Sequence, residues 1–228
     1  MQDWTKAHLQ YGLALSNLGR YAEAEGIMRG VIGETTRVLG AESYLTGLAW
    51  NHLSAVDQAE GHWSEAIEAE AHSYPIMQKY QGDRGLATLS AEATLGSLEC
   101  LAGNTAAALT MLERVQPVLA NVLGPDAPIT QITDFYLAAV LNQVGEPQRA
   151  WSLVSGLTTT ALAAADASDH WEERLQGLKG QILMRLGQEA SGRALVGAAV
   201  AGLVQNRAPA WIVTPLRQTR AALRAGVP

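Results

Sequence analysis

Apolar stretches of helical length recur along the chain, each closed by a glycine and followed by another such stretch. Gly19, Gly61, Gly103, Gly145 and Gly187 stand 42 residues apart in one register, and a fixed period of this size marks a repeat architecture. Five positions after each glycine stands a small residue: Ala24, Ala66, Ala108, Ala150 and Gly192. Seven positions before each stands another: Gly12, Ser54, Gly96, Ala138 and Gly180. Small residues at both offsets let two antiparallel helices approach until their backbones nearly touch, with the glycine in the turn between them. The pattern predicts a series of helical hairpins.

A second series, Gly40, Gly82 and Gly124, lies 21 residues after the first, with Asp166 and Ala208 at the corresponding places in the last two repeats. These positions end the second helix of each pair, as a glycine does by accepting a left-handed conformation. Glu42, Asp83, Asp126 and Asp169 follow, where a carboxylate can cap or face the next helix N-terminus. The division predicts helices near 3–18, 20–38, 42–60, 62–80, 84–102, 104–122, 127–144, 146–165, 169–186 and 188–205, and a closing helix near 210–224. Each of the paired helices is roughly 18 residues and 27 Å long. Pro215 suits the first turn of the last helix or a break in it.

Composition narrows the picture without changing it. Of the 228 residues 48% are hydrophobic, mostly Ala and Leu, which fits closely packed helices and an all-α fold. Gly, polar or charged residues interrupt every apolar run before the 18 or so residues a membrane span requires. A soluble chain is expected, with a cytoplasmic setting favoured. A single cysteine, Cys100, excludes an intramolecular disulfide framework and suits a buried small side chain. The net charge of −6 argues against phosphate-backbone binding, so nucleic acid is not expected as a direct partner. Residues 1–114 carry 14 acidic and 7 basic side chains and residues 115–228 carry 8 and 9, which favours a basic partner for the N-terminal half.

Asn17-Leu18-Gly19-Arg20-Tyr21-Ala22-Glu23-Ala24, Gly61-His62-Trp63-Ser64-Glu65-Ala66, Val38-Leu39-Gly40-Ala41-Glu42 and Val122-Leu123-Gly124-Pro125-Asp126 resemble the tetratricopeptide repeats in their 42-residue, kinesin-light-chain form. The resemblance spans nearly the whole chain and weakens toward its end. There Lys179 stands where Leu53, Leu95 and Leu137 stand earlier, and Pro147 and Glu189 replace the Tyr21 and Trp63 type. It implies one domain over 1–228, a right-handed superhelical solenoid of five antiparallel helix pairs plus a capping helix. Its repeats run over about 3–40, 41–82, 83–124, 125–166 and 167–208.

In such solenoids the first helices line a concave groove and the second helices form the back. The resemblance therefore implies partner-binding residues at Leu9, Leu13, Asn17, Asn51, Ala55, Gln58, Ser97, Cys100, Phe135, Ala139, Asn142, Gln143, Arg174, Gln181 and Arg185. The amides offer both a donor and an acceptor to the backbone of an extended peptide. The expected function is a non-catalytic scaffold for a protein or peptide, without a cofactor. A basic clamp for a terminal carboxylate is not expected, because Lys6, Arg174 and Arg185 are far apart in repeat order.

Other readings attach to fewer residues. His8, His52, His62, His72 and His170 would have to carry any catalysis, and Glu68 with His72 at i, i+4, beside Glu65, suits a surface pair better than a metal site. No phosphate loop, nucleophile elbow or paired-histidine motif accompanies them. Trp50 and Trp63 fall at packing positions of the resembling family, whereas Trp4, Trp151, Trp171 and Trp211 have no assigned place. Arg217, Arg220 and Arg224 share one face of the last helix, read as solvated. Solenoids of this type also serve as sensory or regulatory parts of bacterial transcription activators and signalling kinases. A start directly in a first helix fits a part of a larger protein, and an uncapped end allows self-association.

Overall fold

The computed structural model describes residues 1–165 and 170–224, without the side chains of 165 and 222–224. Among these residues there are twelve α-helices and no strand. The chain forms two compact units, residues 1–118 and 119–228.

The first unit holds α1 (Gln2–Asn17), α2 (Tyr21–Leu39), α3 (Tyr44–Glu60), α4 (Trp63–Gln81), α5 (Leu86–Leu101) and most of α6 (Thr105–Leu123). Each helix packs on the next, and α1 also reaches α3. Glycine permits every hairpin turn: Gly19, Gly61 and Gly103 have φ of +72°, +87° and +84°, a region that strains any residue with a Cβ. The residue after each glycine donates its N–H back to the first helix, Arg20 to the Leu15 carbonyl at 2.9 Å, His62 to Asp57 at 2.9 Å and Asn104 to Glu99 at 2.8 Å. This is the glycine-terminated helix end in which orphan carbonyls find donors.

The close approach expected at the small residues is present. Ala24, Ala66 and Ala108 have no exposed surface, and the Ser54 hydroxyl donates to the Ala66 carbonyl at 2.9 Å. A Cβ on Gly12 would meet the Met28 methyl at 2.6 Å, and one on Gly96 would meet Leu112 at 2.8 Å. Between these contacts lie Leu9, Leu15, Met28, Val31, Leu53 and Val56, all nearly inaccessible. Each large side chain buried this way stabilises by about 1.5–3 kcal/mol.

The second unit holds the end of α6, then α7 (Pro128–Gln143), α8 (Pro147–Val154), α9 (Thr159–Ala165), α10 (Trp171–Arg185), α11 (Glu189–Gln205) and α12 (Ala210–Arg224). Gly145 and Gly187 turn the hairpins with φ of +89° and +82°, and the Glu146 and Gln188 N–H groups close them at 2.9 Å. At the α10–α11 crossing the small pair is Gly180 and Gly192, and a Cβ on either would meet the other's carbonyl oxygen. The closing helix packs on α11 and touches α10, where Leu216 fills the space left by Gly177.

Three expectations need correction. The helix expected over 146–165 is two helices, broken at Ser155–Thr158. Gly156 weakens helix there, and the buried Gln131 side chain takes the Thr158 N–H at 3.0 Å while the Thr158 hydroxyl accepts from Ala161 N at 3.3 Å. The broken segment comes just before Thr159, the register at which Pro75 and Pro117 sit inside α4 and α6. Those prolines are exposed, so the carbonyl each leaves unpaired can bond water and the helix continues. Pro215 likewise lies within α12 rather than in its first turn or at a break, flanked by the buried Ile212, Val213 and Leu216 that hold both sides to α11.

The third correction concerns the caps. Ser43, not Glu42, caps α3, accepting from Thr46 N at 3.2 Å. Glu42 instead pairs with Lys79 at 2.6 Å. Asp83 accepts from the Gln78 amide at 2.8 Å, and Ala127, followed by Pro128, precedes α7 in place of Asp126. At the end of α11 the left-handed residue is Arg207, φ +54°, rather than Ala208. Asp166, Asp169 and the Arg224 side chain lie outside the described residues.

Candidate partner-binding surface

The hairpin geometry sorts the expected groove residues by register. In the first unit Leu9 is 1% exposed and belongs to the core, because its position on α1 faces α2. The same register in α3 is Asn51, whose amide donates to both Glu70 carboxylate oxygens, at 3.2 and 3.0 Å. Ser97 is buried and donates to the Ala93 carbonyl at 2.8 Å, which occupies its one hydrogen. Leu13 is half-buried against the core. Asn17 and Ala55 are exposed, and Gln58 and Cys100 are half-buried.

Beside Ala55 on α3, His52 is half-buried with Nδ1 3.0 Å from the Leu48 carbonyl. Burial lowers its pKa against the raising effect of that bond, so the ring is neutral near pH 7. Two further pairs tie first helices to second helices. The Trp50 and His72 rings stack at 4.5 Å, and at the equivalent places one repeat later Arg114 donates to Glu92 at 2.5 Å. His72 thus lies on Trp50. Trp50 also packs against the core as expected.

Burial changes two carboxyl groups in this unit. Glu70 has no exposed surface, and desolvation pushes its pKa up to about 7 against the opposing hydrogen bonds from Asn51. Asp57 is 4% exposed; desolvation, with Glu25 nearby, raises it to about 6. Among the described residues its Oδ2 has no hydrogen-bond partner.

In the second unit Phe135 and Arg174 are buried rather than presented to solvent. The Arg174 guanidinium lies 4.2 Å from the Trp171 ring, 5.2 Å from Phe135, 5.5 Å from Trp211 and 5.6 Å from Tyr136, and it donates to the Tyr136 hydroxyl at 2.9 Å. This cluster joins α7, α10 and α12. Asn142 is buried, and its Oδ1 lacks a partner among the described residues. Gln181 donates to the Thr219 hydroxyl at 2.9 Å. Ala139 is half-buried, while Gln143 and Arg185 are exposed. Arg217 and Arg220 flank a shallow hollow with Val200 and Val204 between α11 and α12.

Sequence reasoning missed Glu70, Tyr136, Trp171 and Trp211. For Glu70 a signal existed: its register holds Met28, Leu112, Val154 and Val196 in the other repeats, and all four are fully buried. The two tryptophans occur in α10 and α12, where no repeat-to-repeat comparison singles them out.

No protein-family model and no curated protein matches the chain. Solved structures do. One, a variant form of the nearly identical TPR-like repeats of a protein from Podosopora anserina described as a kinesin light chain, is similar at 18% identity. That match covers 89% of this chain and 95% of the other, with a TM-score of 0.67. Another structure of those repeats is 19% identical, covers 88% and 95%, and has a TM-score of 0.66. The chain therefore has the TPR-like all-α repeat fold.

Proposed function

We propose that the chain is a non-catalytic scaffold that holds a protein or peptide on the face of its first helices, and that residues 1–228 act as one solenoid of five repeats. The observation that carries this reading is what remains accessible there. Of the expected set in the first unit, Asn17 and Ala55 are exposed and Leu13 and Gln58 half-exposed, beside a neutral His52. Small, amide and apolar side chains of this kind accommodate an extended backbone and read little of its sequence. The acidic excess of residues 1–114 favours a basic partner. Among the described residues no helix is long and apolar enough to cross a membrane.

The test is capture from an extract of the source organism by the wild-type chain and by Ala55→Arg. Ala55 is exposed, so the substitution leaves the core intact. A partner held by the wild type should bind Ala55→Arg at least about tenfold more weakly in a titration with the purified partner. Equal affinity for both forms would move the interaction off this face.

A further inference from the structure

The rotation of the first helices in their hairpins decides which register is left for a partner. In the first unit the row Leu9, Asn51 and Ala93 is taken up by the interior. Leu9 and Ala93 are 1% and 3% exposed, and the Asn51 amide is spent on Glu70. The row one residue further, Gln10, His52 and Thr94, lies about 100° around each helix. There Gln10 is exposed and His52 and Thr94 are half-buried. All three are hydrogen-bonding side chains, and among the described residues none of them bonds another side chain.

His52 is the member whose chemistry its geometry fixes. Its Nδ1 lies 3.0 Å from the Leu48 carbonyl oxygen, and a carbonyl only accepts, so Nδ1 carries a hydrogen. Burial disfavours the charged ring, so near pH 7 the other nitrogen, Nε2, is a bare acceptor. Nε2 has no partner among the described residues and is not sealed from the surface. Leu48 and Ala55, about one turn before and after it on α3, are apolar. A hydrogen bond made beside such side chains is stronger than one made in open water.

We propose that His52 Nε2 accepts a main-chain N–H of an extended peptide laid across the first helices, with Gln10 and Thr94 bonding the same backbone to either side. This rests on the function proposed above and names the row of hydrogen-bonding groups that function uses. Packed helices lie about 8–10 Å apart, so a row across three first helices runs for no less than about 16 Å, some five residues of extended chain. A main-chain N–H is the donor that fits His52. It is uncharged, as the row is, and an extended chain of any sequence offers one along each edge at every second residue. The same edge presents carbonyls, which suit the donors of the Gln10 amide and the Thr94 hydroxyl. A lysine ammonium pairs better with a carboxylate, and the row contains none.

The probe is a labelled peptide of alternating lysine and alanine, basic as the charge of residues 1–114 favours and small where it meets Ala55. Two further probes carry N-methyl groups on one or the other alternate set of amides. Each loses the donors of one edge of the extended chain and keeps the charge.

Fluorescence anisotropy near pH 7 should show the wild type binding the unmethylated probe. His52→Leu should unfold at the wild-type midpoint and bind at least about tenfold more weakly. His52→Asn, which reaches only toward the Leu48 carbonyl, should lose as much, whereas His52→Gln, whose side-chain oxygen reaches the place of Nε2, should stay within about threefold of wild type. One methylated probe should bind the wild type at least about tenfold more weakly and lose nothing further in His52→Leu, the coupling of two ends of one bond. Nitrogen NMR spectra of the free protein should show Nδ1 protonated and Nε2 bare. A wild type that ignores the probe, His52→Leu and His52→Asn forms that bind it as wild type does, or a protonated Nε2 would overturn the inference. Ala55→Arg separates it from the function it rests on. If that variant binds the probe as tightly as wild type, the face itself is wrong; if it loses the probe while His52→Leu keeps it, only the role of His52 falls.

Discussion

Asn51 and Glu70 face each other across the α3–α4 hairpin at the register that holds Leu9 and Met28 in the first repeat, so one polar pair replaces an apolar one inside the core. A buried pair of this kind loses more when one member is removed than when both are replaced. Asn51→Leu alone should destabilise by about 1–3 kcal/mol above pH 7, because it strips the donors from a buried carboxylate. Asn51→Leu with Glu70→Met, which restores the first-repeat chemistry, should match or exceed wild type by up to about 4 kcal/mol. Urea unfolding of the two variants and the wild type measures both effects. A double variant weaker than the single one would show that the pair contributes more than its own desolvation cost.

The same carboxyl group makes stability depend on pH in a definite direction. Glu70 titrates near 7 in the fold and near 4.5 as an ordinary carboxyl, so between these values the folded state holds a proton that the unfolded chain has released. Its contribution is fully present below about pH 4.5 and is lost as pH rises to about 7, on the order of 3 kcal/mol in all. Asp57, raised from 3.8 to about 6, acts in the same sense over a lower window. Wild type should therefore gain stability relative to Glu70→Gln as pH falls from 8 to 5. Parallel curves for the two proteins over that range would place an ordinary carboxylate at Glu70.

Glycines at three helical sites should respond differently to one methyl group. At Gly26 no atom lies within 4 Å of an added Cβ, so Gly26→Ala should stabilise by about 0.5–1 kcal/mol through helix propensity. At Gly12 the added group meets only side-chain atoms, nearest the Met28 methyl at the end of a flexible chain, and the net effect should be small. At Gly192 it meets the Gly180 backbone oxygen at 2.5 Å, which cannot move without separating α10 and α11. Gly192→Ala should cost about 1–3 kcal/mol. Thermal unfolding of the three variants should rank them in that order.

The repeat was legible because glycine turns and small crossings obey a strict local rule. Gly19, Gly61, Gly103, Gly145 and Gly187 all adopt the left-handed conformation their spacing implies, and ten of the expected helices appear within about two residues of their expected bounds. The break after α8 was not legible, since it depends on Gln131, 27 residues earlier, taking the Thr158 N–H. The candidate site was read less well for a related reason. Family offsets place a residue on a helix without saying how far that helix is rotated toward its partner, so Leu9, Ser97 and Phe135 were assigned to a surface and lie in the interior. Arg174 shows the same limit: its offset in a first helix suggests a binding residue until Trp171 and Trp211 close over it.

That enclosure leads to a last prediction. The Arg174 guanidinium stands among four aromatic rings from α7, α10 and α12 and donates to the Tyr136 hydroxyl at 2.9 Å. A planar, weakly hydrated cation stacks on such faces and still donates in its own plane, whereas an ammonium is compact and strongly hydrated. Arg174→Lys keeps the charge and removes the plane, so it should destabilise by about 1–3 kcal/mol. At about 2–4 °C per kcal/mol for a chain of this size, the unfolding midpoint should fall measurably. Tyr136→Phe removes the acceptor, keeps the ring and should cost about 1 kcal/mol. Near-ultraviolet circular dichroism of the folded variants adds a local readout, because Trp171 and Trp211 lose their fixed neighbour in the first variant and keep it in the second. If Arg174→Lys unfolds at the wild-type temperature with an unchanged aromatic spectrum, charge alone holds the cluster and the stacking contributes nothing.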